Sequence, residues 1–212
     1  MANIHNIYNW FFKYFRPRRL RKFRAMFPEI MTEATILDVG GSTYQWDFLQ
    51  SAATVTILNT SFDNSVTTNK KYKFVQGDGR KLAYDDNSYD LVFSNSVIEH
   101  VGDLSDQLAF ANEMRRVGKK VCCQTPNRWF FVEPHLITVF VHWLPKRLQR
   151  KLIRWCSVWG WVSKPSRKQI DQFIESTRLL TYRELESLFP DCNIMRERFL
   201  GLTKSYIVVR NH

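Results

Sequence analysis

Ile36-Leu37-Asp38-Val39-Gly40-Gly41-Ser42 is the stretch that decides how this chain folds. An apolar strand that ends in an acid and runs into a glycine turn is how nucleotide-type cofactors are held. The glycines let backbone N–H groups approach a ligand closely, and the helix that follows points its amino end at the same place. Outward from this turn, alternation predicts strands over Thr35 to Val39, Thr54 to Leu58, Tyr72 to Gln76, Leu91 to Ser94 and Val121 to Gln124, separated by helical stretches. Leu104, Leu108, Ala111 and Met114 follow helical spacing, and Gly118 stands where a C-cap glycine ends a helix. Thr181-Tyr182-Arg183-Glu184 has the form of a capping box, opening a helix that runs to Phe189 and is stopped by Pro190. Two last strands, Asn193 to Phe199 and Ser205 to Arg210, are joined by Gly201 and predict a terminal antiparallel pair. The expected fold is a mostly parallel, doubly wound α/β sheet.

At 212 residues the chain suits one well-buried α/β domain with some decoration. A hydrophobic fraction of 44% is ordinary for a globular protein and suggests neither disorder nor a fibrous repeat. The net charge of +11 is the unusual quantity, and it favours phosphate-rich partners: nucleic acid, an anionic membrane face or a phosphorylated substrate. Cys122, Cys123, Cys156 and Cys192 form no CxxC pair, so neither a zinc site nor a disulfide framework is expected, and no metal is assigned. The amino terminus lacks the apolar core and cleavage site of a secretory signal, which predicts a cytoplasmic protein. Leu136 to Leu144, the most apolar later run, is too short to span a bilayer.

Four features fall in order on the carboxyl edge of the expected sheet, where open α/β folds bind ligands. They are the Asp38-Gly40-Gly41 turn, Asn59 at the end of strand two, Gln76-Gly77-Asp78-Gly79-Arg80 leaving strand three, and Tyr89-Asp90-Leu91-Val92-Phe93-Ser94-Asn95-Ser96-Val97-Ile98-Glu99-His100-Val101, a strand opening into a polar loop. A dinucleotide fingerprint would need glycines at positions held by Ser42 and Gln45, which disfavours a nicotinamide dehydrogenase.

From about Ile36 to its end the sequence resembles the class I S-adenosylmethionine-dependent methyltransferases, in particular the type 11 branch acting on small molecules, lipids and glycans. The most specific part runs from Gly77-Asp78 through Leu82, Asp85 and Tyr89-Asp90-Leu91-Val92 to Glu99-His100-Val101. The resemblance implies a Rossmann-like, seven-stranded sheet and S-adenosyl-L-methionine as cofactor. It implies that Asp38, Gly40 and Gly41 wall the methionine part and that Asn59 meets the ribose. Asp78 would meet the adenine amino group with Gly79 alongside, and Asn95 and Ser96 would close over the sulfonium end. Two departures stand out: Ser42 replaces the usual third glycine, and Asn59 replaces the usual ribose acid. An asparagine accepts a hydrogen bond from a hydroxyl but brings no charge, so a reduced affinity is expected and Asp63 is a fallback partner.

Methyl transfer from a sulfonium is an in-line displacement, and alignment alone is worth on the order of 7–11 kcal/mol. A hydroxyl acceptor must also lose its proton, for which histidine is best matched near neutral pH. His100, after the fourth strand, and His135, within Trp129-Phe130-Phe131-Val132-Glu133-Pro134-His135 and in reach of Glu133, are the candidate catalytic residues; a structural role for each is the alternative.

Three regions are expected: a basic, aromatic, helical extension over 1–34, a cofactor-binding domain over 35–212, and within it a tryptophan-rich helical insertion at about 127–178 that selects the acceptor. In the insertion Leu144, Leu148, Leu152, Trp155 and Trp159 are spaced along one helical face, with Lys146, Arg147, Arg150, Lys151 and Arg154 on the other. The extension interleaves Trp10, Phe11, Phe12, Tyr14, Phe15 and Phe23 with Lys13, Arg16, Arg18, Arg19, Arg21, Lys22 and Arg24. Both patterns suit either an anionic membrane surface or packing on the core or a partner subunit. The Pro126-Asn127-Arg128-Trp129 to His142-Trp143-Leu144-Pro145 arrangement is loosely similar to glycan and lipid methyltransferases and favours O-methylation of a small-molecule, glycan or lipid-linked acceptor. RNA is the alternative acceptor, although Asn95-Ser96-Val97 lacks the Asn-Pro-Pro-aromatic motif of amino-methylating nucleic-acid enzymes. A non-catalytic ligand-binding protein of the same fold is the third reading.

Overall fold

The computed structural model describes residues 17–62, 68–133 and 135–211. Residues 10–16 of the aromatic extension and Asp63 lie outside the described residues. The strands are β1 (Thr35–Val39), β2 (Thr54–Asn59), β3 (Tyr72–Gln76), β4 (Tyr89–Asn95), β5 (Gly118–Pro126), β6 (Val132–Glu133), β7 (Thr138–Val139), β8 (Asn193–Phe199) and β9 (Leu202–Arg210). The helices are α1 (17–26), α2 (Thr43–Phe48), α3 (Leu104–Val117), α4 (Lys146–Cys156), α5 (Val158–Ser163), α6 (Arg167–Ser176) and α7 (Tyr182–Leu188). Seven strands form one sheet in the order β3-β2-β1-β4-β5-β9-β8, and β6 and β7 pair separately. The first five strands are mutually parallel, while β9 runs antiparallel to both β5 and β8, as the terminal hairpin predicts.

Both faces of the sheet are covered, which is why its central strands read as continuous apolar runs. The pleat sends alternate residues to opposite sides. Ile36, Leu91 and Phe93 join Phe23, Phe27 and Trp46 under α1 and α2. Leu37, Val39 and Val92 join Phe110, Met114 and Leu185 under α3 and α7. Helix α3 is opened by an Asp103–Asp106 capping box, and α7 by the Thr181–Glu184 box expected from sequence. Gly118 does end α3, with an extended backbone (φ −92°, ψ 133°) that leads straight into β5. Glycine is needed there for close approach: a Cβ would lie 2.6 Å from the Lys120 carbonyl oxygen.

The insertion packs differently from the sequence expectation. Its expected stripe assumed one continuous helix, but Ser157 interrupts it: the Oγ donates to the Ile153 carbonyl at 2.5 Å and accepts from the Gly160 N–H at 2.8 Å. Ile153 is the residue of α4 that becomes fully buried, in a small core with Leu136, Val141, Ile170 and Ile174. Leu152 and Trp159 pack against that core, whereas Leu148 and Trp155 are exposed. On the basic face, Arg150 pairs with Asp171 and Glu175 of α6, each at 2.7 Å, and Lys146 with Glu175 at 2.6 Å. No helix among the described residues is long and apolar enough to cross a membrane.

Removing the α7 cap isolates a fold contribution from the site. Thr181→Ala is expected to lower the unfolding free energy by about 1 kcal/mol, read from urea melts.

Candidate active site

The turn after β1 is built over a buried carboxylate. Asp38 is fully buried, and its Oδ2 accepts from Gln45 Nε2 at 2.5 Å and Trp46 Nε1 at 2.8 Å. Burial outweighs these bonds and that of the Ser42 N–H, pushing the carboxyl up to about 7. Its Oδ1 has no hydrogen-bond partner among the described residues. Gly41 lies directly on this group, since a Cβ there would fall 1.9 Å from Oδ2. Gly40 needs glycine twice over: its φ is +76°, and a Cβ would lie 2.5 Å from Val97 Cγ2. Asp38 therefore buttresses the turn from below, while Gly40, Gly41 and Ser42 face a cavity of about 230 Å³ together with Tyr44, Gln45, Asn95 and Gln124.

Asn59 and Asp78 stand at the ends of β2 and β3. The Asn59 Nδ2 donates to the Gly41 carbonyl at 3.1 Å, which ties the second strand to the glycine turn and leaves the amide oxygen as an acceptor. Arg80 grips Asp78 through its backbone N–H at 2.9 Å and its guanidinium at 2.7 Å. The guanidinium bond chiefly holds the Asp78 carboxyl below its usual range. Gly79 packs beneath: a Cβ would lie 2.6 Å from Phe110 and 2.8 Å from Val39.

At the end of β4, Ser96 adopts a left-handed backbone (φ 58°), uncommon for a residue other than glycine. Gln124 of β5 holds it there, its carbonyl accepting the Ser96 N–H and its Oε1 accepting the Ser96 Oγ, both at 2.9 Å. Arg19 of α1 reaches the same place, donating to Asn95 Oδ1 at 3.0 Å and Gln124 Oε1 at 3.1 Å while pairing with Glu197 of β8 at 2.7 Å. Burial would raise the Glu197 carboxyl, but Arg19, Lys204 and Ser205 together hold it down at about 2. Sequence reading missed Arg19, which stands in a basic run with nothing to distinguish it.

His100 and His135, 35 residues apart in the chain, meet with their Nε2 atoms 3.2 Å apart. Glu133 accepts from His135 Nδ1 at 2.6 Å. Burial would lower the His135 pKa, but the Glu133 hydrogen bond and charge, with Glu99, raise it. His100 is pushed down to about 4, first by desolvation and then by His135. Glu99 is fully buried; its Oε2 accepts from Thr125 Oγ1 at 2.9 Å and its Oε1 lies 3.9 Å from His135 Nε2. The two candidate histidines are thus brought together, and Glu99, written beside His100 in the fourth-strand motif, joins them.

Residues 37–121 match the family model described as a methyltransferase domain. No curated protein sequence matches the chain at a significant level. Among solved structures, an S-adenosylmethionine-dependent methyltransferase from Mesorhizobium loti is similar at TM-score 0.55 and 15% identity, over 89% of this chain and 95% of that one. The magnesium protoporphyrin IX methyltransferase of Synechocystis, solved with bound S-adenosylhomocysteine, matches at TM-score 0.52 and 12% identity, over 91% and 81%. Residues 37–121 carry a methyltransferase domain, in the fold of the class I S-adenosylmethionine-dependent methyltransferases. At such identities the solved structures bear on the fold alone.

The residues of this methyltransferase fit its cofactor. Gly40, Gly41 and Gly79 let bare backbone lie close on Val97, Asp38 and Phe110 at this edge, where it would line the cofactor, and Asn59 and Asp78 would offer it oxygen acceptors at the next two strand ends. Gly41→Ala in the methyltransferase is expected to weaken S-adenosylhomocysteine binding by about tenfold or more in calorimetry, because the turn must leave Asp38 to admit the methyl.

The Asp38 carboxyl gives a second expectation, on stability. Its folded pKa of about 7 lies above the ordinary 3.8, so the folded methyltransferase holds the proton more tightly between those values. The stabilising contribution is full below the lower value and lost as pH rises to the upper. Asp38→Asn removes this titration. The variant should gain stability relative to the wild type across that window and run parallel to it above, in urea melts at matched pH.

Proposed function

We propose that this methyltransferase O-methylates a small-molecule, glycan or lipid-linked acceptor, whose hydroxyl meets the cofactor beside His100 and His135. The observation that carries the reading is the Glu133–His135–His100 array, which begins just past the turn that touches the cofactor cradle: Val97 abuts Gly40, and Glu99 and His100 follow it. S-adenosylmethionine, when bound, supplies a methyl carbon on a positively charged sulfur. An acceptor oxygen forms the new O–C bond as the C–S bond breaks, so its proton must leave in the same event. Glu133 orients His135 and turns its Nε2 towards the acceptor side.

The insertion supports a sugar or lipid-linked substrate. Trp129 and Trp143 are exposed, with ring centroids 6.3 Å apart, and Arg128 lies over Trp129 at 5.6 Å. Next to them is a cavity of about 440 Å³ whose lining includes Arg128, Trp143, Lys146, Gln149 and Arg178. Exposed aromatic faces suit sugar rings or prenyl chains, and the guanidinium and ammonium groups suit a linking phosphate.

A labelled-methyl transfer screen against glycan, membrane-lipid and RNA fractions tests the acceptor class; label that enters RNA as an amino-methyl product and not a hydroxyl of the other fractions refutes the proposal. With an acceptor in hand, Glu133→Gln and His135→Ala are expected to lower kcat by about 100-fold or more while S-adenosylhomocysteine affinity stays near that of the wild type.

A further inference from the structure

The geometry points to a divalent transition-metal site formed by Glu99, His100 and His135, in which the cation holds the acceptor oxygen. The inference rests on the reading of this edge as the acceptor side. Each ligand is already turned inward by a neighbour. Glu133 accepts from His135 Nδ1 at 2.6 Å, which turns the Nε2 of that ring towards the cluster. The His100 Nδ1 lies 3.4 Å from Thr177 Oγ1, which turns the His100 Nε2 inward as well. Thr125 donates to Glu99 Oε2, and the buried Oε1 has no hydrogen-bond partner among the described residues. Three ligand atoms therefore converge, and a bound cation would displace the proton shared between the two Nε2 atoms.

Their spacing suits a metal. The ligand atoms all lie within 4.8 Å of one another, with Nε2 to Nε2 at 3.2 Å and Nε2 to Oε1 at 3.9 Å. Bonds of about 2.0–2.1 Å in tetrahedral array would hold neighbouring donor atoms roughly 3.3 Å apart, so an ion would draw the wider pairs in by up to about 1.5 Å. Two imidazoles and one carboxylate select Zn²⁺, Mn²⁺ or Fe²⁺ over Mg²⁺ or Ca²⁺. Glu133 on the far nitrogen of His135 is the outer carboxylate such a site uses to fix a histidine ligand. Three protein ligands leave a coordination position open for a hydroxyl, whose pKa the cation lowers. The hydroxyl proton then passes to water, the O–C bond forms and the C–S bond breaks, leaving a neutral thioether. The histidines act here as ligands.

The test is calorimetric titration of the chelator-treated full chain with Zn²⁺ and with Mn²⁺, and elemental analysis of the chain as purified. One ion per chain is expected, with affinity lowered by about tenfold or more in Glu99→Gln, His100→Ala and Glu133→Gln and with S-adenosylhomocysteine binding retained. Failure of both ions to bind, or binding that these substitutions leave unchanged, overturns the site. Should a variant misfold, the wild type alone decides: saturating ion must raise its melting temperature, and no shift overturns the site. An ion bound as expected without any hydroxyl methylation would leave the site standing and refute the acceptor reading. Hydroxyl methylation that is indifferent to chelator, in a chain that binds no ion, would do the reverse.

Discussion

Gln45 and Trp46 donate to Asp38 beneath Gly41, and the cofactor edge depends on that buried contact. It fixes the first turn of α2 to the end of β1, so that the backbone between them is stretched over a carboxylate with no room for a side chain. Val97 closes on Gly40 from the turn that follows β4, and Asn59 holds the Gly41 carbonyl from the other side. One turn is thereby clamped by the ends of β1, β2 and β4, and a rigid support of this kind is what a site needs to hold a cofactor in register with an acceptor.

The pleat of β5 divides the edge into two workplaces. Gln124 and Thr125 are successive residues, so their side chains leave the strand on opposite faces. Gln124 serves the cavity, binding Ser96, Asn95's partner Arg19 and the α1 side. Thr125 serves Glu99 and the histidines. The left-handed Ser96, bonded through its backbone to Gln124, turns the chain out of β4 ahead of the buried Glu99.

Local patterns were enough to read most of the frame. Strands β1, β3 and β8 have the ends the alternation predicts, and the Thr181 box opens α7, because strand period and capping chemistry act within a few residues. The order Asp38, Asn59, Asp78, Asn95 is legible because parallel strands put all their carboxyl ends on one edge. What stayed hidden depends on distant chain segments. Arg19 and Glu197 are 178 residues apart, and nothing in a basic run singles out one arginine for a half-buried partner. Glu99 was written in the motif, but its burial against Thr125 and its approach to His135 depend on how the insertion folds back over the edge. The α4 stripe failed because the spacing ran through Ser157, whose hydroxyl ends one helix and starts the next.

The same break changes what the positive charge means. A continuous amphipathic helix with five cations on one face would be a membrane-surface element by pattern alone. In the folded chain Lys146 and Arg150 face α6, where Asp171 and Glu175 answer them, and Ile153 faces the small core. Surface ion pairs of this type contribute about 0–1 kcal/mol each, so they orient α4 on α6 more than they stabilise it. Orientation is what matters here, because the segment leading into α4 carries His142 and Trp143, which bond to the Arg128 carbonyl at 3.2 and 2.8 Å. Charge that looked like an external adhesive is in part the means by which the insertion holds Arg128, Trp129 and the Glu133–His135 pair over the end of the sheet.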